Sequence, residues 1–360
     1  MFVVILFITF YLACVWMINQ KYRYQQRFLI VVLGVLTLLI GFRDNWPDEL
    51  PYVLAFQMAP YPWDFFRTAT PDIGYAETGY FFLASVVKMI YNSSRFYLLV
   101  MGGLSMWLLY KNLDKYCLVP VIGLCDYVAR FLLNRDFTQM RSSLAILILI
   151  YALIFIQKRK IVPYMLLVLL AYQFHHLSLL GVPLYFFAIY KIPKKYIVLG
   201  LILAVIGSQY LSESIAATVE SYSSDFQYTT YVEGGYEEGK GLANPMVWFQ
   251  IGILALFAFY EHPLAEKYDH YYLFRNTYFY STLILIFFSQ YTALSGRTST
   301  VYATVEMFML PMILGALPKK LRSLFLLGLG LVFLVFFYTK YNDSMSMIKA
   351  GQQQMIQVTQ

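Results

Sequence analysis

The sequence predicts an all-α, polytopic membrane protein forming a single integral membrane domain over residues 1–360. Three observations carry that reading. Hydrophobic residues make up 60% of the chain and charged residues only 13%, where soluble domains average about 25% charged. Mean hydropathy is +0.59. Apolar runs of roughly 17–25 residues, each able to cross about 30 Å of hydrocarbon as a helix, recur from end to end. They lack the two-residue alternation of a lipid-facing strand, and a bilayer admits only helices or closed barrels because backbone groups must be satisfied internally.

Taken in order, the candidate spans are 2–18, 28–41, 77–91, 96–112, 118–133, 139–156, 161–175, 177–190, 196–212, 246–260, 276–293, 299–317 and 321–338. The first has no basic n-region or small-residue cleavage site, so it reads as a retained span. Residues 161–190 read as a pair broken around His175-His176. Basic clusters at Lys21/Arg23/Arg27, Lys158/Arg159/Lys160, Lys191/Lys194/Lys195 and Lys319/Lys320/Arg322 fall between runs, the signature of cytoplasmic loops. They place 41–77 and an acidic loop, 211–245, on the outer face. Lys111 and Lys115 also belong inside, and parity then requires 77–91 to be an interfacial or re-entrant helix. The expectation is about 12 transmembrane helices plus that half-span. The net charge of +7 resides in these clusters and not on a basic soluble face, which argues against a nucleic-acid partner. Cys14, Cys117 and Cys125 have no disulfide or metal spacing, and no cofactor motif is present.

Chemistry concentrates at the outer ends. The stretch GFRDNWPDELPY (41–52) opens a loop that mixes carboxylates with aromatic rings. Such a mixture suits carbohydrate, with rings stacking on C–H faces and carboxylates accepting hydroxyl hydrogen bonds; it equally suits an aromatic belt at headgroup level. Arg43, Arg135, Arg141 and Arg297 all fall at outer ends of spans, where arginine is the less expected residue. A guanidinium fork suits phosphate, with lipid headgroups or nearby carboxylates as the alternative partners. His175-His176 interrupts an apolar run, as residues lining a cavity would. Asp126 and Arg130 stand four apart within a span, the spacing of a self-neutralising pair. Glu306 follows Tyr302 by four and is expected on the same helical face.

In this order these landmarks resemble the Wzy-type polysaccharide polymerases of the EpsG-like branch. Arg43, Asp48 and Tyr52 in RDNWPDELPY keep the spacing of that family's Arg, Asp and Tyr, with Trp46-Pro47 where it has Gly-Thr. Glu77 and Tyr80 in ETGYFFL match its Glu followed by an aromatic. Arg141 and Ala145 match its Arg-Gln-x-x-Ala segment, with Ser142 in place of Gln. YQFHHLSLLGVP is similar to its Phe-His-x-Ser segment, with either His176 or His175 in the histidine position. Arg297, Tyr302 and Pro311 match its late Arg…Tyr…Pro. The resemblance spans residues 28 to 315.

The resemblance implies a glycosyltransferase of the bacterial inner membrane, with a GT-C-like helical bundle and its active site on the periplasmic face. Donor and acceptor would be undecaprenyl-pyrophosphate-linked oligosaccharides, with a chain-length regulator as a further partner. An acceptor hydroxyl would attack the anomeric carbon and expel the lipid pyrophosphate. On this reading Arg43, Tyr52, Arg135, Arg141, His175, Arg297 and Tyr302 bind substrate, and one of Asp48, Glu77 or His176 takes the hydroxyl proton. A glycolipid flippase or exporter, an O-antigen ligase, or another lipid-linked-sugar transferase stands as the alternative.

Overall fold

The computed structural model describes residues 2–67, 77–210 and 240–358. The regular elements among them are helices: α1 (Phe2–Met17), α2 (Tyr22–Gly41), α3 (Glu49–Met58), α4 (Thr78–Ile90), α5 (Ser94–Tyr116) and α6 (Pro120–Tyr127). The last runs through a π turn (Val128–Leu132) into α7 (Leu133–Arg135). Then follow α8 (Met140–Gln157), α9 (Ile161–Tyr172), a 3-10 turn (His176–Leu180), α10 (Gly181–Phe187), α11 (Lys194–Tyr210), α12 (Pro245–Phe259), α13 (Glu261–Lys267), α14 (Tyr271–Phe287), α15 (Thr292–Ala303), α16 (Glu306–Ala316) and α17 (Lys319–Val358). The bulk of the acidic loop expected at 211–245 lies outside the described residues.

Several of these helices are long and apolar enough to make a multi-pass membrane protein. Tyr22–Gly41, Met140–Gln157 and Lys319–Ala350 each suffice alone among the described residues. Two bent pairs, Pro245–Phe259 with Glu261–Lys267 (71°) and Leu294–Ala303 with Glu306–Ala316 (50°), raise the number to five. The other apolar helices are shorter. Thr78–Ile90, at 13 residues, rises only about 20 Å, short of the hydrocarbon thickness. Lys319–Ala350 is 11% buried over its apolar window, and Leu324, Leu331 and Val335 are more than half exposed. So much bare aliphatic surface needs a hydrocarbon surrounding.

The contacts divide the chain into two compact units. The first comprises Met1–Tyr151, Leu169–Ser178 and Leu310–Gln360; the second comprises Ala152–Val168 and Leu179–Met309. In the first, α2 lies along α5. Glycine permits the approach: a Cβ on Gly102 would stand 2.9 Å from the Ile40 side chain, and one on Gly41 would overlap Leu99. Small residues at a crossing let helix backbones meet closely where lipid supplies no hydrophobic drive. α1 packs on α17, where the Tyr11 hydroxyl donates to the Leu326 carbonyl and the rings of Phe7 and Phe337 stack at 4.5 Å. Ser93 caps α5 by accepting from the Phe96 amide.

In the second unit α14 is the hub, contacted by α10, α11, α12, α13 and α15. Its first turn carries a buried polar knot. Asn276 Nδ2 lies within hydrogen-bonding distance of the Phe187, Ala188 and Tyr190 carbonyls at and just past the end of α10. Arg275, fully buried, donates to the Ile192 carbonyl at 2.8 Å and pairs with Glu261 at 3.3 Å.

One expectation is corrected here. Residues 299–317 do not form one helix: the chain breaks at Thr304-Val305, between α15 and α16. Tyr302 and Glu306 therefore sit on different helices at a 50° bend, and the helical register that would put them on one face does not run through them. Glu306, fully buried, accepts instead from the Tyr278 hydroxyl of α14 at 2.9 Å.

Candidate active site

The first unit gathers most of the polar residues singled out by sequence. Its frame is set where α2 ends. Arg43 follows the helix and turns back, donating from Nη1 to the carbonyls of Ile40 (3.4 Å) and Asp136 (3.3 Å) and from Nη2 to the Met140 sulfur (3.0 Å). Its guanidinium thus brackets the end of α2 to the turn between α7 and α8. Nε, also buried, finds no acceptor among the described residues. Burial pushes the Arg43 pKa down from its ordinary value, against the opposing pull of Tyr52, Glu49, Tyr80 and Asp136.

The following loop is fixed from α5. Arg95, in the first turn of α5, donates to the Arg43 carbonyl and pairs with Asp44 (3.2 Å) and Glu49 (3.5 Å). Trp46 donates its amide to Glu49 and its indole N–H to Thr138 (3.0 Å). Asp48 takes a left-handed conformation, φ 61°, as the residue before α3. Aspartate tolerates that region better than most side chains, and the bend turns α3 so that Tyr52 points inward, 3% exposed.

Around Tyr52 the cations and rings interleave. Arg43 lies over the Tyr52 ring at 6.0 Å, Arg141 lies over the Tyr80 ring at 5.5 Å, and the two rings are 6.0 Å apart. Burial raises the Tyr52 hydroxyl pKa, and the charge of Arg141 opposes that rise. Arg141, in the first turn of α8, forms an ion pair with Glu77, the residue before α4; both are under 10% exposed. Glu77, Arg141, Arg43, Tyr52 and Tyr80 thus make one buried cluster at the ends of α2, α4 and α8. That turn of α4 is tied in by backbone: the amides of Gly79 and Tyr80 donate to the Gln173 carbonyl at 3.0 and 3.2 Å. Gln173 sits in the break after α9, so the His175-His176 segment adjoins the start of α4. His175 is partly buried, its Nδ1 accepting from the Leu177 amide; His176 is exposed and lies 5.0 Å from the Tyr172 ring.

Arg135, 4% exposed, lies over the Phe131 ring at 4.2 Å. Arg297 and Tyr302 belong to the second unit, on α15, the first exposed and the second fully buried. Reading the sequence missed the acid beneath Arg43. Asp136 is 1% exposed and accepts from the Ser143 hydroxyl at 2.6 Å and the Tyr127 hydroxyl at 2.8 Å. Burial pushes its carboxyl up to about 6 despite those donors and the charges of Arg135 and Arg43. Arg95 was missed as well. Both lie next to expected landmarks, and only the fold shows what they hold.

The comparisons with known proteins bear on this arrangement. A family model described as EpsG family matches residues 26–356. The chain belongs to the EpsG family. It is also similar to the amylovoran biosynthesis protein AmsC of Erwinia amylovora, 25% identical over 369 residues, covering 95% of this chain and 93% of that protein. No solved structure matches the chain. The family match takes in every residue of the cluster, from Arg43 through Arg141, and extends over Arg297 and Tyr302 of the second unit.

Proposed function

We propose that this EpsG-family protein is a polysaccharide polymerase, a glycosyltransferase that joins lipid-linked oligosaccharide repeat units at the outer face of a bacterial inner membrane. Family membership and the similarity to a protein of amylovoran biosynthesis support an exopolysaccharide pathway. The observation that carries the polymerase reading is the buried Glu77–Arg141 pair, set between two tyrosine rings with Arg43 beside it. It joins a cation for a leaving pyrophosphate and a carboxylate for a hydroxyl proton, packed against buried tyrosine rings. About twelve crossings in a GT-C-like arrangement, with 41–77 on the outer side, complete the reading.

The reaction needs charge stabilisation on the departing pyrophosphate and removal of one proton. In the resting protein Glu77 and Arg141 neutralise each other. A pyrophosphate reaching Arg141 replaces the carboxylate as its partner, exchanging one charge-assisted contact for another that the guanidinium fork can make bidentate. Glu77, released, accepts the proton of the acceptor hydroxyl as its oxygen attacks the anomeric carbon. The C–O bond to the pyrophosphate breaks, and its electron pair leaves on the phosphate oxygen. Arg43 Nε is an unused buried donor for a substrate oxygen. Asp48, half-buried at the start of α3, orients Tyr52, and His176 lies at the solvent edge of the same unit. Arg297, exposed, is available to attract the anionic lipid, while Arg135 is buried against Phe131.

The test is the glycan made by a strain lacking this protein. A polymerase null retains single repeat units on the lipid and loses the long-chain ladder, and the wild-type chain restores it. Unattached full-length polymer, or loss of all extended glycan, would sink the polymerase reading in favour of a ligase or a flippase.

A further inference from the structure

The acid beneath Arg43 has no part in the chemistry above, yet its surroundings are the most completely built in the first unit. Asp136 closes the four-residue turn between α7 and α8. One carboxylate oxygen receives the Ser143 hydroxyl from α8 and the other receives the Tyr127 hydroxyl from α6; those two hydroxyls are themselves 3.2 Å apart. Its backbone carbonyl receives Arg43, which arrives from α2. One residue thus joins three helices at the place where the guanidinium is held. Ionisable groups face it from each side: Arg43 from the end of α2, Tyr127 from α6 and Arg135 from α7.

We infer that Asp136 is a positioning residue for the proposed transfer, its ionised carboxylate fixing the α7–α8 turn that holds Arg43 beside Tyr52. An ionised carboxylate accepts at both oxygens, whereas its protonated form turns one oxygen into a donor and confronts a hydroxyl that was donating to it. Protonation therefore loosens one of the two ties, and the Arg43 bracket loosens with the turn. Burial already pushes the acid up to about 6, so the switch falls within a pH range open to assay. The inference rests on the polymerase reading for its readout, and the experiment separates the two.

Purified protein in liposomes, given lipid-linked repeat units, is assayed for polymer from pH 5 to 8. Wild-type activity falls along an acid limb near pH 6. Asp136→Asn, which cannot titrate, is slowed by roughly 100-fold, the scale of a small misplacement, and shows no limb in that range. Tyr127→Phe removes one donor to the ionised form. It lowers activity at pH 8, since one of the two ties is gone, and moves the limb upward by roughly one pH unit, as loss of a hydrogen bond to a charged group implies.

Acid unfolding is separable by sign. A buried acid with a raised pKa binds its proton more tightly folded than unfolded, so between its ordinary value of 3.8 and about 6 it adds stability as pH falls. Thermal melting of wild type relative to Asp136→Asn should improve toward pH 4 while activity is lost. An acid limb that persists unchanged in Asp136→Asn, or an unmoved limb in well-folded Tyr127→Phe, overturns the inference. Absence of polymer from wild type at every pH instead overturns the polymerase reading.

Discussion

Glu77 and Arg141 make opposite demands on a membrane protein: each is costly to bury alone, and together they are tolerable. Removing one partner from such a pair strands a charge and typically costs about 3–5 kcal/mol, whereas replacing both is far milder. Arg141→Met and Glu77→Gln singly should therefore lower the melting temperature in detergent, with Arg141→Met the worse because it leaves a naked carboxylate. The double variant should recover much of the loss while making no polymer. A double variant no more stable than Arg141→Met would mean that the two side chains do not act as a pair. Arg43 shows how far sequence alone reaches here. Its position after α2 and its spacing to Tyr52 were legible, because both follow from local pattern. That its fork is largely committed to Ile40, Asp136 and Met140 was not, since two of those partners lie more than ninety residues away. Asp136 carries no motif and becomes visible only when α6, α8 and the end of α2 converge on it.

Helix ends place these side chains, and short helices place them as firmly as long ones. α4 begins next to the break after α9 because Gly79 has no side chain: a Cβ there would stand 2.5 Å from the Gln173 Cβ and 2.9 Å from its carbonyl oxygen. The obstacle includes backbone, so the helices would have to part. Gly79→Ala should weaken the two amide bonds to Gln173 and displace Glu77, two residues earlier. The expected outcome is polymer reduced at least tenfold at near-normal protein level, with faster amide exchange at Gly79 and Tyr80. Unchanged exchange and full activity would show that the approach is not needed. Hydropathy located most of these elements to within a few residues. The α15–α16 break escaped it, because apolar content runs on through Ala303–Leu310 while the helix bends at Thr304-Val305. Periodicity reports which residues are apolar, and a bend of 50° depends on what the neighbours require.

The chain as a whole combines bare apolar helices with polar clusters at their ends, a division a membrane enzyme needs. Aliphatic flanks such as those of α17 belong in lipid, and the positive-inside rule assigns the basic clusters at 158–160 and 319–322 to the cytoplasmic side. On the proposed polymerase function, an EpsG-family chain so arranged presents its buried pair to a substrate whose pyrophosphate sits at the headgroup level and whose sugars lie in water. Reconstitution tests that claim most directly. Wild type and Glu77→Gln, matched for amount and folding, are given undecaprenyl-pyrophosphate-linked repeat units in liposomes, and the glycan is resolved by gel. Wild type should build a ladder, and Glu77→Gln should leave single units, a loss of about 10²–10⁴ in rate for a missing proton acceptor. A full ladder from Glu77→Gln would contradict the account.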